Sequence, residues 1–489
     1  MSNLSELLPS GGGQNQVNFV ASGTLPNGKP VILNSNGTVT VVGGEGVTSI
    51  PAGSEYVFSA ASTQYISVAF DPNTANKFVA AYLNGPSATG RAIVGTVSGT
   101  SISFGTEVVF HSADTADISV FFDPNTAGKF VICYRQAANN GSGTAIVGTV
   151  SGTTLSFGTA VVFNTRVYYP TGAFDQNTAG KFVVGYRDRN DSNNGNSRVG
   201  TVSGTSISFG TEVTFNSGES NVISIESDPN TAGKFIITYA DAGNSSYATA
   251  IIGTVSGTSV SYGSEAVFNS TSSSNIAVAF DPNTANKLVT VYQNSSSVCK
   301  STIGTVSGTS ISFGTAVTFN SAASGYARLS FDPNTAGVFV VAYQDGGNSN
   351  YGTAIIGTVS GTSISFSSEH VFNAGGIEEV GLSFDPNTTG KFTVAYMDQG
   401  NSSKGTAIVG TAGTTNLTST NLIGIAAGAA SSGATAKINT WGGINESQTS
   451  LTIGTDYYAQ TNGTITTATG GQKLGTAISA TTINMRDLP

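Results

Sequence analysis

Charge is scarce in this chain of 489 residues: Asp, Glu, Lys and Arg together make up 10% of it. The balance is acidic, with a net charge of −9, and no run of Lys or Arg breaks it. Neutralising phosphates takes clustered positive charge, so nucleic acid is not an expected partner. Cysteine is nearly absent. Cys133 and Cys299 fall at different positions of different repeats, which argues against a disulfide, and Cys133 within "FVICY" reads as a small core residue. The two histidines, His111 and His370, have no Cys or His at ligand spacing, so no metal and no cofactor is expected. The weakly apolar run 422–430 is far too short for a bilayer, and no membrane insertion is expected. The opening "MSNLSELLPSGGG" has neither the basic nor the apolar region of a secretory signal. There is no Gly-x-Ser-x-Gly elbow and no phosphate-binding loop ahead of a helix.

What is abundant is Gly, Ser, Thr and Asn, the composition of a β-rich protein with an uncharged polar surface. The octet "DPNTAGKF" stands at 123–130 and 228–235, and looser copies begin at Asp71, Asp175, Asp281, Asp332 and Asp385. The seven aspartates are spaced by 52, 52, 53, 53, 51 and 53 residues. A period of that size filled with short strands points to the blade of a propeller, four antiparallel strands each. The first copy reads as strand A over 66–71, strand B over 77–82, strand C over 92–97 and strand D over 100–110, with a bend or bulge at Gly105. Strand B is apolar on both parities ("FVAAY", "FVICY", "FIITY"), as expected of a strand covered on both faces.

The turn states its own chemistry. Pro follows Asp in six copies, Gln176 being the exception, and suits the second position of a turn. Asp and Asn side chains can accept from nearby backbone N–H groups. The sixth position is Gly in five copies and Asn76 or Asn286 in the others, the choice a left-handed backbone demands. This arrangement makes the aspartates turn caps. Seven near-equivalent carboxylates also lack the asymmetry that glycoside cleavage requires.

The seventh copy lacks its D strand, and an orphan copy of that strand, "GVTSIPAGSEYVFSA", precedes the first turn at 46–60. An N-terminal strand closing the last blade removes both open edges. The expected fold is therefore all-β: a seven-bladed β-propeller of about 52-residue, four-stranded blades over 46–412. A small β domain built from both termini, 1–45 and 413–489, accompanies it. Its turn signals include Asn27-Gly28, Asn36-Gly37 and Asn462-Gly463.

In an A–B–C–D meander the AB and CD turns emerge on one face and the BC and DA loops on the other. Here AB and CD are nearly uniform, whereas BC and DA differ from copy to copy. Loops on a rigid scaffold are where recognition usually sits, although exposed loops also drift freely. The third copy stands out. Arg166, Tyr168 and Tyr169 lie in the loop entering it, and Arg187, Asp188, Arg189 and Asp191 lie in its BC loop, with Arg198 just beyond. Four of the eight arginines fall between 166 and 198. Tyr247 and Tyr351 occupy matching positions in the fourth and sixth copies. Arginine forks suit carboxylate and phosphate groups, and tyrosine faces suit sugar rings, so these residues form the candidate ligand-binding set. The competing reading is a solvated patch or a contact with another protein.

The flanks, "NLSELLP" through "VNFVASGTLPNGKPVILNSNGTVTVV" and "NLIGIA" through "LTIGTDYYAQTNGTI" to "LGTAISATTINM", resemble those of tail-fibre and other virion structural proteins of marine tailed phages, especially cyanophage-like ones. The central repeats resemble inserts such proteins carry. The resemblance spans the chain, but its motifs are structural and name no active site. It implies a non-enzymatic virion component made in the host cytoplasm, a homo-oligomer whose partners are other tail or capsid proteins and host surface polysaccharide. Two other readings remain at this point: a capsid or tail decoration with purely structural contacts, and a polysaccharide-degrading enzyme.

Overall fold

The computed structural model describes residues 15–485 except 23–24, 35–36, 43–44, 50–54, 415–420, 432, 461–463 and 470. The expected turns at Asn36 and at Asn462-Gly463, and part of the orphan D strand, lie outside the described residues. Among the described residues, apart from three single-turn 3-10 segments at Ala242–Asn244, Gly346–Asn348 and Gln399–Asn401, the regular structure is β. Among the described residues no helix is long and apolar enough to cross a membrane. The chain divides into two compact units, one of residues 49–412 and one of residues 1–48 with 413–489.

The larger unit is propeller-like. Each copy of the repeat is an antiparallel A–B–C–D meander. In the second, A is Thr115–Phe122, B is Lys129–Gln136 and C is Ser142–Ser151. The D strand is broken in two, Thr154–Phe157 and Val161–Asn164, and both halves pair with C. The break falls at the glycine read as a bend, and its cause is a neighbour. A Cβ at Gly105 would lie 2.0 Å from the carbonyl oxygen of Thr153, in the next copy's CD hairpin, and Gly158 meets Thr205 in the same way. Gly is required there for clearance between copies.

Every B strand is buried almost throughout. Its apolar side chains pack alternately into the clusters on its two sides: Val79 and Ala81 join one core while Phe78, Ala80 and Tyr82 join another. The B-strand tyrosine reaches the outer strand, where its hydroxyl meets a glutamate. Tyr239 donates to Glu265 at 2.8 Å and Tyr343 to Glu369 at 2.6 Å. Where the D strand carries Ala160 or Ala316 instead, that bond is absent from the sequence itself.

The turn aspartates are all buried. In all seven, Oδ1 accepts from the backbone N–H two residues on, at 2.9–3.0 Å. Oδ2 does something the sequence did not reveal. It accepts, at 3.0–3.2 Å, from the sixth turn residue of the following copy: Asp123 from Gly180, Asp175 from Gly233, Asp281 from Gly337, Asp332 from Gly390, and Asp385 from Asn76. The turn asparagine hands on in the same direction, from Asn73 to the carbonyl of Pro124 at 3.1 Å and from Asn387 to that of Pro72 at 3.2 Å. The sixth residues hold the expected left-handed backbone, with φ from 63° at Asn76 to 74° at Gly337. One turn thus serves its own hairpin and clasps the next.

These clasps return from the seventh copy to the first, and so do the strands. Tyr56–Phe70 pairs over its first half with Lys404–Thr414 (Thr406 opposite Val57, Ala407 opposite Tyr56) and over its second half with Lys77–Asn84. Tyr396 of the seventh copy finds its glutamate in Glu55, at 3.0 Å, and Asn373 bonds the same carboxylate at 2.7 Å. Each A strand neighbours the A strands before and after it, the seventh neighbouring the first.

The smaller unit is made of both chain ends. One sheet runs in the order Gln16–Val20, Thr435–Thr440, Leu422–Ala426, Pro30–Leu33, Val39–Val41. A second joins Ile444–Asn445, Ile483–Asn484, Gln472–Ala477, Asp456–Ala459 and Ile465–Thr466. Ile32, Leu422, Ile425, Tyr457, Leu474 and Met485 form a core shared by the two.

Candidate functional site: the loop-side mouth of the bore

The A strands surround a bore, and a cavity of about 340 Å³ opens at the end where the DA loops enter. Its rim is set by one position per copy, six residues before each turn aspartate: Tyr65, Asp117, Tyr169, Val222, Asn275, Tyr326 and Glu379. All seven hold a left-handed backbone, φ between 49° and 56°, and none is Gly. Each sits at a break in A–B register, a bulge that re-aims a side chain. A β-branched residue such as Val222 pays strain for this geometry, and such strain collects at functional positions.

Two residues further on, the copies place Ser67, Ser119, Thr171, Ser224, Ala277, Arg328 and Gly381 in the wall. Arg328 is the only charged member of that row. Its side chain is exposed, lining the cavity, although protein surrounds the bore. Desolvation lowers its pKa and Glu379 opposes the shift; a guanidinium stays charged regardless. Its Nη1 donates to the Ala327 carbonyl at 3.0 Å. Glu379 accepts through Oε2 from the strained Tyr65 amide at 3.1 Å. Burial raises the Glu379 pKa, while Arg328 and the Tyr65 amide pull it back. Burial first, then Glu378 and Glu379, push the Tyr326 phenol up to about 12, so it is a neutral donor at ordinary pH.

On one side the rim continues into a cluster of guanidinium and phenol groups. Arg135, Arg187 and Arg189 lie 4.7, 4.7 and 4.8 Å from the centroid of the Tyr168 ring, and Arg187 also lies 5.3 Å from that of Tyr169. Two of the three cations are already matched: Arg135 Nε bonds Asp117 at 2.7 Å and Arg187 Nη1 bonds Glu219 at 2.7 Å and also meets Asn221. Arg189 is exposed, and its Nη1 donates to the Tyr168 hydroxyl at 3.3 Å.

The residues singled out from sequence therefore part company. Tyr169 lines the cavity and Tyr168, Arg187 and Arg189 form the cluster beside it. Arg187 is a braced member, held by Glu219 and Asn221 from the connection into the next copy. Asp188 is buried, its Oδ2 accepts from Asn164 at 2.7 Å and its Oδ1 from the Asn190 amide at 2.8 Å, so it caps its own loop, and it borders a separate hollow with Asn164, Asn190 and Arg198. Arg166 is half-buried behind that loop, its amide donating to Asn164 at 2.9 Å and its carbonyl accepting from Arg189 at 3.0 Å. The Asp191 carbonyl closes the same loop by accepting from Asn194 at 2.8 Å. Tyr247 and Tyr351 open their C strands, half-buried, opposite Asp241 and Asp345, and do not line the cavity. Tyr65, Asp117, Asn275, Tyr326, Arg328 and Glu379 were missed. Their signal was available: aligned on the turn aspartate, the position six before it changes from copy to copy, and four before it Arg328 stands where the other copies carry Ser, Thr, Ala or Gly.

The opposite mouth differs. A cavity of about 410 Å³ is ringed by the second residue of each turn, Pro72, Pro124, Gln176, Pro229, Pro282, Pro333 and Pro386. Among the described residues one carboxyl faces it, that of Glu226, and desolvation pushes its pKa up to about 8.

No protein-family model matches the chain, and no curated protein matches it. Among solved structures it is similar to Sqt1 from Chaetomium thermophilum (13% identity, TM-score 0.47, covering 72% of this chain and 84% of that one). It is similar also to AofleA from Arthrobotrys oligospora (8%, 0.43, 71% and 95%) and to a protein of unknown function from Dyadobacter fermentans (10%, 0.47, 74% and 99%). Likeness at this level carries no inference about what the chain does.

Proposed function

We propose that the chain is a virion structural protein, a tail fibre or surface appendage, whose seven-bladed propeller binds host surface glycan or receptor through its loop-side face. Both termini form the unit that attaches it to other virion proteins. One observation carries the binding part of this reading. Seven equivalent backbone positions, all in the same strained conformation, converge on one cavity and carry Tyr, Asp, Val, Asn and Glu side chains. A scaffold whose turns and buried strands repeat places varied side chains on this one uniform backbone position. Phenol faces, amide and carboxylate acceptors and an arginine fork are the groups that hold sugar rings and their acidic substituents. The virion part rests on the resemblance of the flanks.

The test is an array of bacterial surface polysaccharides probed with the whole chain. Saturable binding to a subset is expected, with no release of reducing ends on incubation. An array silent throughout rejects the binding reading, and sugar release would favour a polysaccharide-degrading enzyme instead. A map of the phage particle decides location, since only a distal position permits contact with a host.

A further inference from the structure

Arg328 is the least explained residue of the bore. Its position in the other copies is filled by Ser, Thr, Ala or Gly, so packing does not ask for a long side chain there. The bond its fork makes within the protein, to the carbonyl of the residue before it, leaves other N–H donors facing the cavity. Glu379, on the neighbouring A strand, uses one carboxylate oxygen on the Tyr65 amide and leaves Oε1 for another donor. Tyr65, Tyr169 and Tyr326 supply ring faces at the rim, and Asn275 a further polar group. Near 340 Å³ the space is at the small end for a ligand pocket, suited to one monosaccharide and not to a chain passing through.

We infer that the loop-side mouth of the bore takes a single carboxylate-bearing sugar residue, a uronic or similar acidic sugar at the end of a glycan, with its carboxylate on the Arg328 fork. A guanidinium pairs two parallel N–H groups with one carboxylate, which a lysine cannot do. Glu379 accepts from a ring hydroxyl through Oε1 and Asn275 through its Oδ1, its Nδ2 already donating to Gln293 at 3.0 Å and to the Ser324 carbonyl at 2.8 Å, and an apolar sugar face stacks on a tyrosine. The inference rests on the glycan-binding reading and narrows it: the ligand enters end-on, and acidity is what is selected. The Tyr168 cluster is then not the anion's seat, because its cations other than Arg189 are already paired with carboxylates.

The experiment is calorimetric titration of the full chain with glucuronate, galacturonate, glucose, galactose and acetate. Both uronates are expected to bind saturably, at least about tenfold more tightly than the neutral sugars or acetate. Arg328→Ala, a residue the fifth copy already carries at this position, should remove that preference. Arg328→Lys should keep part of it, and Arg189→Ala all of it. If Arg328→Ala is not folded by circular dichroism, Arg328→Ser, the residue of three other copies, takes its place. Equal binding of uronates and neutral sugars, acetate binding as well as a uronate, silence towards all five, or a preference that survives both Arg328 replacements would each overturn the inference. If the polysaccharide array is positive while the uronates fail, the broader reading stands and only the axial acidic-sugar site falls. If both fail, both fall.

Discussion

The two ends of the A strands are built from the same seven copies and behave in opposite ways. At the turn end, buried aspartates make one bond within the hairpin and, in most copies, one to the next hairpin, and the mouth is rimmed by proline. Chemistry there is uniform because each turn has to fit both its own chain and its neighbour. At the loop end the backbone is just as uniform, with seven left-handed residues in a row around the rim, yet the side chains are not. Geometry that is repeated with chemistry that varies is what a recognition surface needs, and geometry repeated with chemistry repeated is what a joint needs.

The contrast can be broken at the joint first. Asp281 bonds the Asn283 amide at 2.9 Å and, across to the next copy, Gly337 at 3.2 Å. Asp228 makes the first kind of bond, but its Oδ2 finds no partner among the described residues. Bonds to a buried carboxylate contribute about 1.5–3 kcal/mol each, so Asp281→Ala should cost about 3–5 kcal/mol and Asp228→Ala about half as much. Denaturant unfolding checks this, and equal losses would mean that the clasp between copies adds nothing.

The next lever is the lone carboxyl at the turn-side mouth. Glu226 is held protonated in the folded state up to about pH 8, against an ordinary value of 4.5. Its folded state therefore binds the extra proton between those limits, and stability falls as pH rises from 4.5 towards 8. Glu226→Gln should leave the melting temperature near the parent's at pH 4 and raise it at pH 9, by of order 1–2 kcal/mol of stability. A gain of the same size at both pH values would exclude the carboxyl as its source.

The smallest effect lies at the loop-side rim. Val222 has φ 52°, which β-branched residues tolerate poorly, whereas Asn occupies the matching position at 275. Val222→Asn should therefore stabilise the unit by about 1 kcal/mol in urea. Destabilisation would show that Val222 packing outweighs its backbone strain.

How much of this was legible in the sequence depends on whether the cause was local. The turn could be read letter by letter: the Asp bond to the amide two residues on, and Gly or Asn at a left-handed sixth position, are short-range physics. The paired strands at 56–62 and 404–407 followed from counting strands per copy. Gly105 was recognised as special, but its reason, the Thr153 carbonyl of the next copy, belongs to packing between copies and leaves no mark beside it in the chain. Arg187 shows the same limit. Its own loop made it look available, and Glu219 and Asn221, from the connection into the next copy, take it up. The cavity rim was overlooked for a further reason. Apart from Tyr169, each of its residues looks unremarkable within its own loop, and only the column of seven, aligned on the turn, reveals a site.

The strand Tyr56–Phe70 carries a consequence for how the protein is made. It is among the earliest parts of the larger unit to leave the ribosome, and its first half stays without a partner until Lys404–Thr414 follows, some 350 residues later. Throughout that interval the growing chain presents an exposed edge able to recruit a strand from a second nascent copy. A translation stall anywhere before residue 404 would leave that edge permanently unguarded, so yield should depend on uninterrupted elongation more steeply than for a protein of equal length built from self-sufficient domains.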